Sequence, residues 1–197
     1  GNRLIFKEDE NPQAKLMANA RNDKLFTDGS DIQRLAREVR FVIAGTEQAN
    51  SAFLVIVLPN NWLTAPWSQL EEKERPPQWD ERIPLLILPE MPDKLAERWG
   101  KWLKDHLQKR RNAVRLLLPM DGSLPLFMDR GLLILARAVL LADQWKAQNT
   151  EYRKLLAKYE KELREIIKKR FDRFAILATW DYQHPEQCTL HIENHQA

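Results

Sequence analysis

Cysteine is nearly absent: among 197 residues only Cys188 carries a thiol, which excludes an internal disulfide framework. Glycine is scarce too, with six residues scattered along the chain. Neither G-x-x-x-x-G-K-[ST] nor G-x-G-x-x-G occurs, so the clustered glycines that let backbone N–H groups cradle a phosphate are missing. No nucleotide or other cofactor is expected by those routes. No stretch approaches the roughly 20 apolar residues of a bilayer crossing. The first residues, Gly1-Asn2-Arg3-Leu4, offer neither an initiator Met nor the apolar centre of a signal peptide. The expectation is a cytoplasmic chain with no membrane partner, and Gly1 reads as a chosen cut that makes this a middle piece of a longer protein.

What is present is the composition of an ordinary globular protein, 44% hydrophobic against 30% charged. Lys and Arg number 31 against 28 Asp and Glu, a net charge of +3. A surface so mildly basic tolerates nucleic acid without demanding it.

Leu4–Lys7 is a short strand candidate, followed by a weakly helical stretch from Pro12 to about Ala20. From Asp31 the residues Ile32, Leu35, Ala36, Val39, Val42 and Ile43 recur at helical spacing, with Ser30 or Asp31 as cap and Gly45 where a left-handed terminal residue belongs. The spacing predicts a helix over Asp31–Ala44. Ala52–Leu58 and Ile83–Leu88 are continuous apolar runs ended by Pro59 and Pro89, as strands covered on both faces should be. A Trp- and Pro-rich connection separates them. Pro92 fits the first turn of a helix whose apolar face carries Leu95, Trp99, Trp102, Leu103, His106 and Leu107. Ala113–Leu118 follows as a strand, so Ile83–Leu118 predicts a parallel strand, helix, strand unit with a right-handed crossover.

Beyond Asp121-Gly122-Ser123 one helical pattern runs from Leu132 to Ile167, and its second half, Glu151–Arg170, is a charged amphipathic arm that needs an apolar partner inside or outside the domain. Phe174–Trp180 and Thr189–Ile192 are the last strand candidates. The expected fold class is α/β: a mostly parallel sheet flanked by helices, with a long C-terminal amphipathic helix. Residues 1–126 would form the sheet domain, and 127–197 the helical arm and terminal strand packing back on it.

Candidate chemistry is sparse. His184, Cys188, His191 and His195 offer four potential zinc ligands, but a strand over Thr189–Ile192 would point Cys188 and His191 to opposite faces, so no metal is assigned. The acidic residues Glu71, Glu72 and Glu74 and the pair Asp80-Glu81 read as a solvated face with nothing suggesting burial. No nucleophile stands at recognisable spacing from a base, and no catalytic residue is assigned. The better candidates are basic: Lys101, Lys104, Lys109, Arg110, Arg111 and Arg115, and the run Lys168-Lys169-Arg170 with Arg173, as contacts to a phosphate backbone. Against this stands the plainer reading of wet helix faces whose terminal positive charge offsets the dipole. Trp62, Trp67 and Trp79 could stack on bases, though tryptophans more often pin a loose connection to a core.

The stretch Arg111-Asn112-Ala113-Val114-Arg115-Leu116-Leu117-Leu118-Pro119, followed by Asp121-Gly122 and a long helix, resembles the late region of the very large P-loop ATPases of bacterial phage-defence islands, the BREX and DISARM type. The run Trp79-Asp80-Glu81-Arg82-Ile83-Pro84-Leu85-Leu86-Ile87-Leu88-Pro89 looks like the same family's acidic turn and hydrophobic strand. The resemblance covers roughly Asp31 to Tyr182. It implies an accessory α/β module whose parent holds the nucleotide site elsewhere, with no phosphate-binding residue to carry onto this chain. The implied partners are the remainder of that ATPase or other proteins, docked along Glu151–Arg173, and DNA.

Overall fold

The computed structural model describes residues 11–45 and 52–194, and the strand expected at Leu4–Lys7 lies outside them. Among the described residues the elements run α1 (Pro12–Ala20), α2 (Ser30–Ala44), β1 (Phe53–Val57), β2 (Ile83–Ile87), α3 (Leu95–His106), β3 (Arg115–Pro119), α4 (Arg130–Trp145), α5 (Thr150–Arg170), β4 (Phe171–Thr179) and β5 (Thr189–Asn194). They form two compact units interleaved along the chain. One holds the described residues up to Glu38 and Asp129–Ile166; the other holds Val39–Met128 and the described residues from Ile167 onward. The chain passes from one unit to the other within α2, between Met128 and Asp129 just ahead of α4, and within α5.

The first unit is helical. Its helices start where side chains take up orphan N–H groups: Asn11 accepts from the Ala14 amide ahead of α1, and Asp129 from Leu132 ahead of α4. The single long helix expected from Leu132 to Ile167 is two. Residues 146–148 form a turn, and Asn149 Oδ1 accepts the Glu151 amide at 2.9 Å to start α5. Nor is α5 terminal, since two strands follow it. Its stripe of Tyr152, Leu155, Tyr159 and Leu163 is buried, with Trp145 edge-on to Tyr152 at 5.3 Å. Ile166, near the end of the same helix, is exposed.

Ionic contacts tie this unit together. Arg137, buried on α4, donates to Asp31 at 2.9 Å, to Asp23 at 2.8 Å and to the Ala20 carbonyl at 3.2 Å, and its guanidinium lies over Phe26. Arg34 pairs with Asp143 at 3.0 Å, and Arg164 reaches both the buried Glu38 at 2.8 Å and Glu160 at 3.0 Å.

The second unit is built on a five-stranded mixed sheet of order β1-β2-β3-β4-β5. β1, β2 and β3 are parallel, whereas β4 runs antiparallel to β3 and β5 antiparallel to β4. The sheet is thus not mostly parallel. The parallel half follows from long connections, including α3 between β2 and β3; β4 and β5 are joined by the short segment 180–188, which permits only antiparallel neighbours. β4 also differs in sequence, interrupting its apolar residues with Asp172 and Arg173, as a half-exposed strand does.

One face of the sheet carries Leu54, Ile56, Leu86, Leu116 and Ala175 into a core with Trp99, Trp102 and Leu103 of α3. The connection over 59–82 is fastened there by its tryptophans. Trp99 and Trp102 stack at 4.4 Å, Trp67 meets Trp102 edge-on at 5.5 Å, and Trp102 Nε1 donates to the Trp62 carbonyl at 2.7 Å. Pinning, not base stacking, occupies these rings. α3 begins at Leu95, preceded by Lys94 in the left-handed region at φ 52°, so Pro92 lies before the helix and not in its first turn. α2 ends as expected, on Gly45 at φ 77°.

Candidate nucleic-acid interface

The basic residues singled out in the sequence separate into two groups at opposite ends of β3. Lys101, Lys104, Lys109, Arg110 and Arg111 lie on α3 and just beyond it, leading into the first residue of β3. Arg173 pairs in register with Leu118 at the other end, and Lys168 and Lys169 close α5 just before it. At roughly 3.3 Å per residue a strand of this length separates the two groups by on the order of 15 Å.

The second group is largely consumed by structure. Arg173 donates to Asp121 at 3.0 Å, to Asp172 at 3.2 Å and to the Pro119 carbonyl at 3.1 Å, so its charge is neutralised twice. Arg170 is buried and donates to the carbonyls of Leu124 and Pro89. Lys168 and Lys169 are exposed on the last turn, where they also offset the helix dipole.

The first group is different because aromatic rings stand among the cations. The β4–β5 connection brings Trp180 and Tyr182 to α3: Trp180 Nε1 donates to the Gly100 carbonyl at 2.9 Å, and the two rings meet edge-on at 6.1 Å. Arg111 lies over Trp180 at 4.6 Å and over Tyr182 at 5.6 Å, and Lys104 Nζ sits 4.5 Å from the Tyr182 centroid. Arg111 Nε caps α3 by donating to the carbonyls of Leu103 and Leu107 at 3.2 and 2.8 Å, which aligns the guanidinium with the rings. Arg110, left-handed at φ 64°, donates to the Arg82 carbonyl at 2.7 Å. Lys101 reaches Glu97 across one helical turn at 3.9 Å, both exposed, and Lys109 is exposed without an ion pair among the described residues. Beside them a cleft of about 390 Å³ is lined by Gln108, Arg110, Arg111, Asn112, Ala178 and Trp180. The sequence named the cations but not Trp180 and Tyr182, whose only signal was aromatic content beside a turn.

The connection that closes this region depends on one glycine. A Cβ at Gly100 would lie 1.8 Å from the Pro185 carbonyl oxygen and 2.6 Å from Cys188 Cβ, so only glycine lets α3 approach the 180–188 segment. Cys188 is buried there, and burial pushes its thiol up to about 11. His191 lies on the other face of the sheet, 3.2 Å from Glu193; His184 is exposed, and His195 lies outside the described residues.

The acidic segment departs from the solvated face expected of it. Glu74 is buried, 3.6 Å from Arg40, and accepts the Glu71 amide at 3.0 Å while its own carbonyl accepts Trp79 Nε1 at 2.8 Å. It anchors the connection to the end of α2. Glu71, Glu72 and Glu81 remain exposed.

No helix among the described residues is long and apolar enough to cross a membrane. The chain matches no protein-family model, no curated protein and no solved structure.

Proposed function

We propose that this chain is a non-catalytic accessory module of a larger ATP-dependent protein, of the phage-defence type its sequence resembles, and that it engages nucleic acid through the basic and aromatic surface at the end of α3. The observation that supports this reading is the interleaving of Lys104 and Arg111 with Trp180 and Tyr182, beside Lys101 and Lys109. Cations that neutralise phosphates supply affinity without sequence preference, and rings beside them stack on unpaired bases. A single strand suits such a surface better than a duplex, because its bases are open to stacking. ATP hydrolysis belongs to the parent; this module positions it on its target in the cytoplasm.

The test is fluorescence anisotropy of labelled single- and double-stranded DNA at low and physiological salt. Single strands bind more tightly, and binding weakens steeply with salt. Lys104→Glu with Lys109→Glu lowers the salt slope by about 1 for each phosphate left unneutralised. Tyr182→Ala costs about tenfold on single strands, as removal of one stacking ring should. Lys168→Glu with Lys169→Glu, at the other end of β3, leaves binding nearly unchanged. No binding at either salt sinks the nucleic-acid reading and moves the search to a protein partner.

A further inference from the structure

On the face of the sheet turned away from the tryptophans lies a cavity of about 700 Å³, within the roughly 300–1,000 Å³ range of small-molecule sites. Its floor follows from strand register. Val55, Leu85, Arg115, Ile176 and His191 pair in sequence across all five strands and form one row, every member of which lines the cavity. Phe174 and the end of α2, at Val42 and Ile43, add further apolar wall, and Lys168 contributes a second cation.

Arg115 is the anomaly in this row. It stands on the central strand, half-buried between Leu85 and Ile176, and its guanidinium makes no hydrogen bond or ion pair with any described residue. A guanidinium held against apolar surface loses hydration and is ordinarily compensated by a carboxylate. The carboxylate that also lines the cavity, Glu193, faces His191 at 3.2 Å. Other cations held tightly in this unit have found partners: Arg40 has Glu74, and Arg173 has Asp121 and Asp172. An apolar cavity of ligand size with one uncompensated guanidinium on its floor is built to receive an apolar body carrying a negative charge.

We propose that this cavity binds a small amphipathic monoanion, its acidic head on Arg115 and its apolar body against Phe174, Val55 and the end of α2. The site is separate from the surface at the end of α3 and does not depend on nucleic-acid binding.

Two fluorescent probes differing only in the head group test this: anilinonaphthalene sulfonate and its neutral parent, phenylnaphthylamine, each titrated into the full chain and then displaced with decanoate. One saturable site is expected, about tenfold tighter for the sulfonate, as one charge-assisted contact implies, and decanoate competes for it. Arg115→Gln abolishes the preference while leaving the neutral probe's affinity unchanged, and Arg115→Lys retains most of it. Circular dichroism verifies the fold of each variant. Should Arg115→Gln not fold, narrowing of the preference in Lys168→Gln, at an exposed position, takes its place and its absence counts against the site. Equal binding of the two probes, no saturable binding of the sulfonate, or a preference that survives in folded Arg115→Gln overturns the proposal.

Discussion

In the first unit a set of long-range ion pairs stands beside the buried stripe of α5: Arg137 with Asp31 and Asp23, Arg34 with Asp143, Arg164 with Glu38. In the second, ion pairs such as Arg40 with Glu74 are secondary to aromatic and apolar contacts, with Trp99, Trp102 and Trp67 gathering the sheet, α3 and the long connection into one core. Apolar burial stabilises in proportion to area and is indifferent to partner identity, whereas a buried ion pair returns its desolvation cost only when both members are present. The helical unit should therefore fail when one charge is removed, and the sheet unit when its packing is disturbed. Six of the seven tryptophans lie in the second unit, so tryptophan emission reports mainly on it and far-UV helix signal mainly on the first.

The largest effect expected from one substitution is at Arg137. Arg137→Met strands the buried Asp31 carboxylate and should cost about 3–5 kcal/mol in urea unfolding followed by helix ellipticity. Adding Asp31→Leu should recover most of it, since an apolar pair replaces an ionic one nearly without penalty. If the single variant costs less than about 1 kcal/mol, in the range of surface pairs, the ionic account of this unit is broken.

Gly100→Ala comes next. The added methyl meets backbone at Pro185, which cannot swing aside as a long side chain would, so a destabilisation of about 3 kcal/mol is expected in tryptophan-monitored unfolding. A neutral outcome would mean that the 180–188 segment moves away from α3 freely, and the Trp180–Gly100 hydrogen bond behind the proposed interface would not hold it in place.

Acid should separate the units. Hydrogen bonds from Arg130 and Arg137 hold Asp23 below the ordinary carboxylate range, and those from Lys146 and Arg34 do the same for Asp143. A carboxylate with a depressed folded pKa contributes stability that is complete above its unfolded value of about 4 and drains as pH falls through the folded value. Helix signal is thus expected to decline ahead of tryptophan emission as pH drops below about 4. Simultaneous decline of the two would contradict the difference between the units.

The smallest effect concerns Cys188. With its thiol pushed up to about 11, little thiolate exists near pH 8, and a disulfide reagent should label it only as fast as the second unit opens. Gly100→Ala should accelerate labelling in step with its destabilisation. Rapid labelling of the native chain would show that the region beneath α3 is open.

Much of the fold was legible in the sequence. Continuous apolar runs closed by Pro59, Pro89 and Pro119 mark β1, β2 and β3, because burial on both faces leaves no alternation to dilute the signal. α2 was readable from its 3.6-residue period and Gly45. The direction of β4 and β5 was less visible, although Asp172 and Arg173 within an otherwise apolar strand pointed to a half-exposed position in an antiparallel part of the sheet. The break between α4 and α5 carried a signal in Asn149, which an unbroken apolar period concealed.

Sequence thus marked α2, α3 and the apolar runs that became β1, β2 and β3, since periodicity, caps and prolines act over a few residues and tertiary packing only selects among what they allow. Tertiary structure alone decided the fate of each charge. Glu74 and Arg137 became buried partners of residues far away in the chain, Arg173 was neutralised by Asp121, and Arg115 on the central strand met no carboxylate among the described residues. The same chemical groups read alike in the chain because an ionic interaction depends on distance and solvent, and both are set only when remote segments come together.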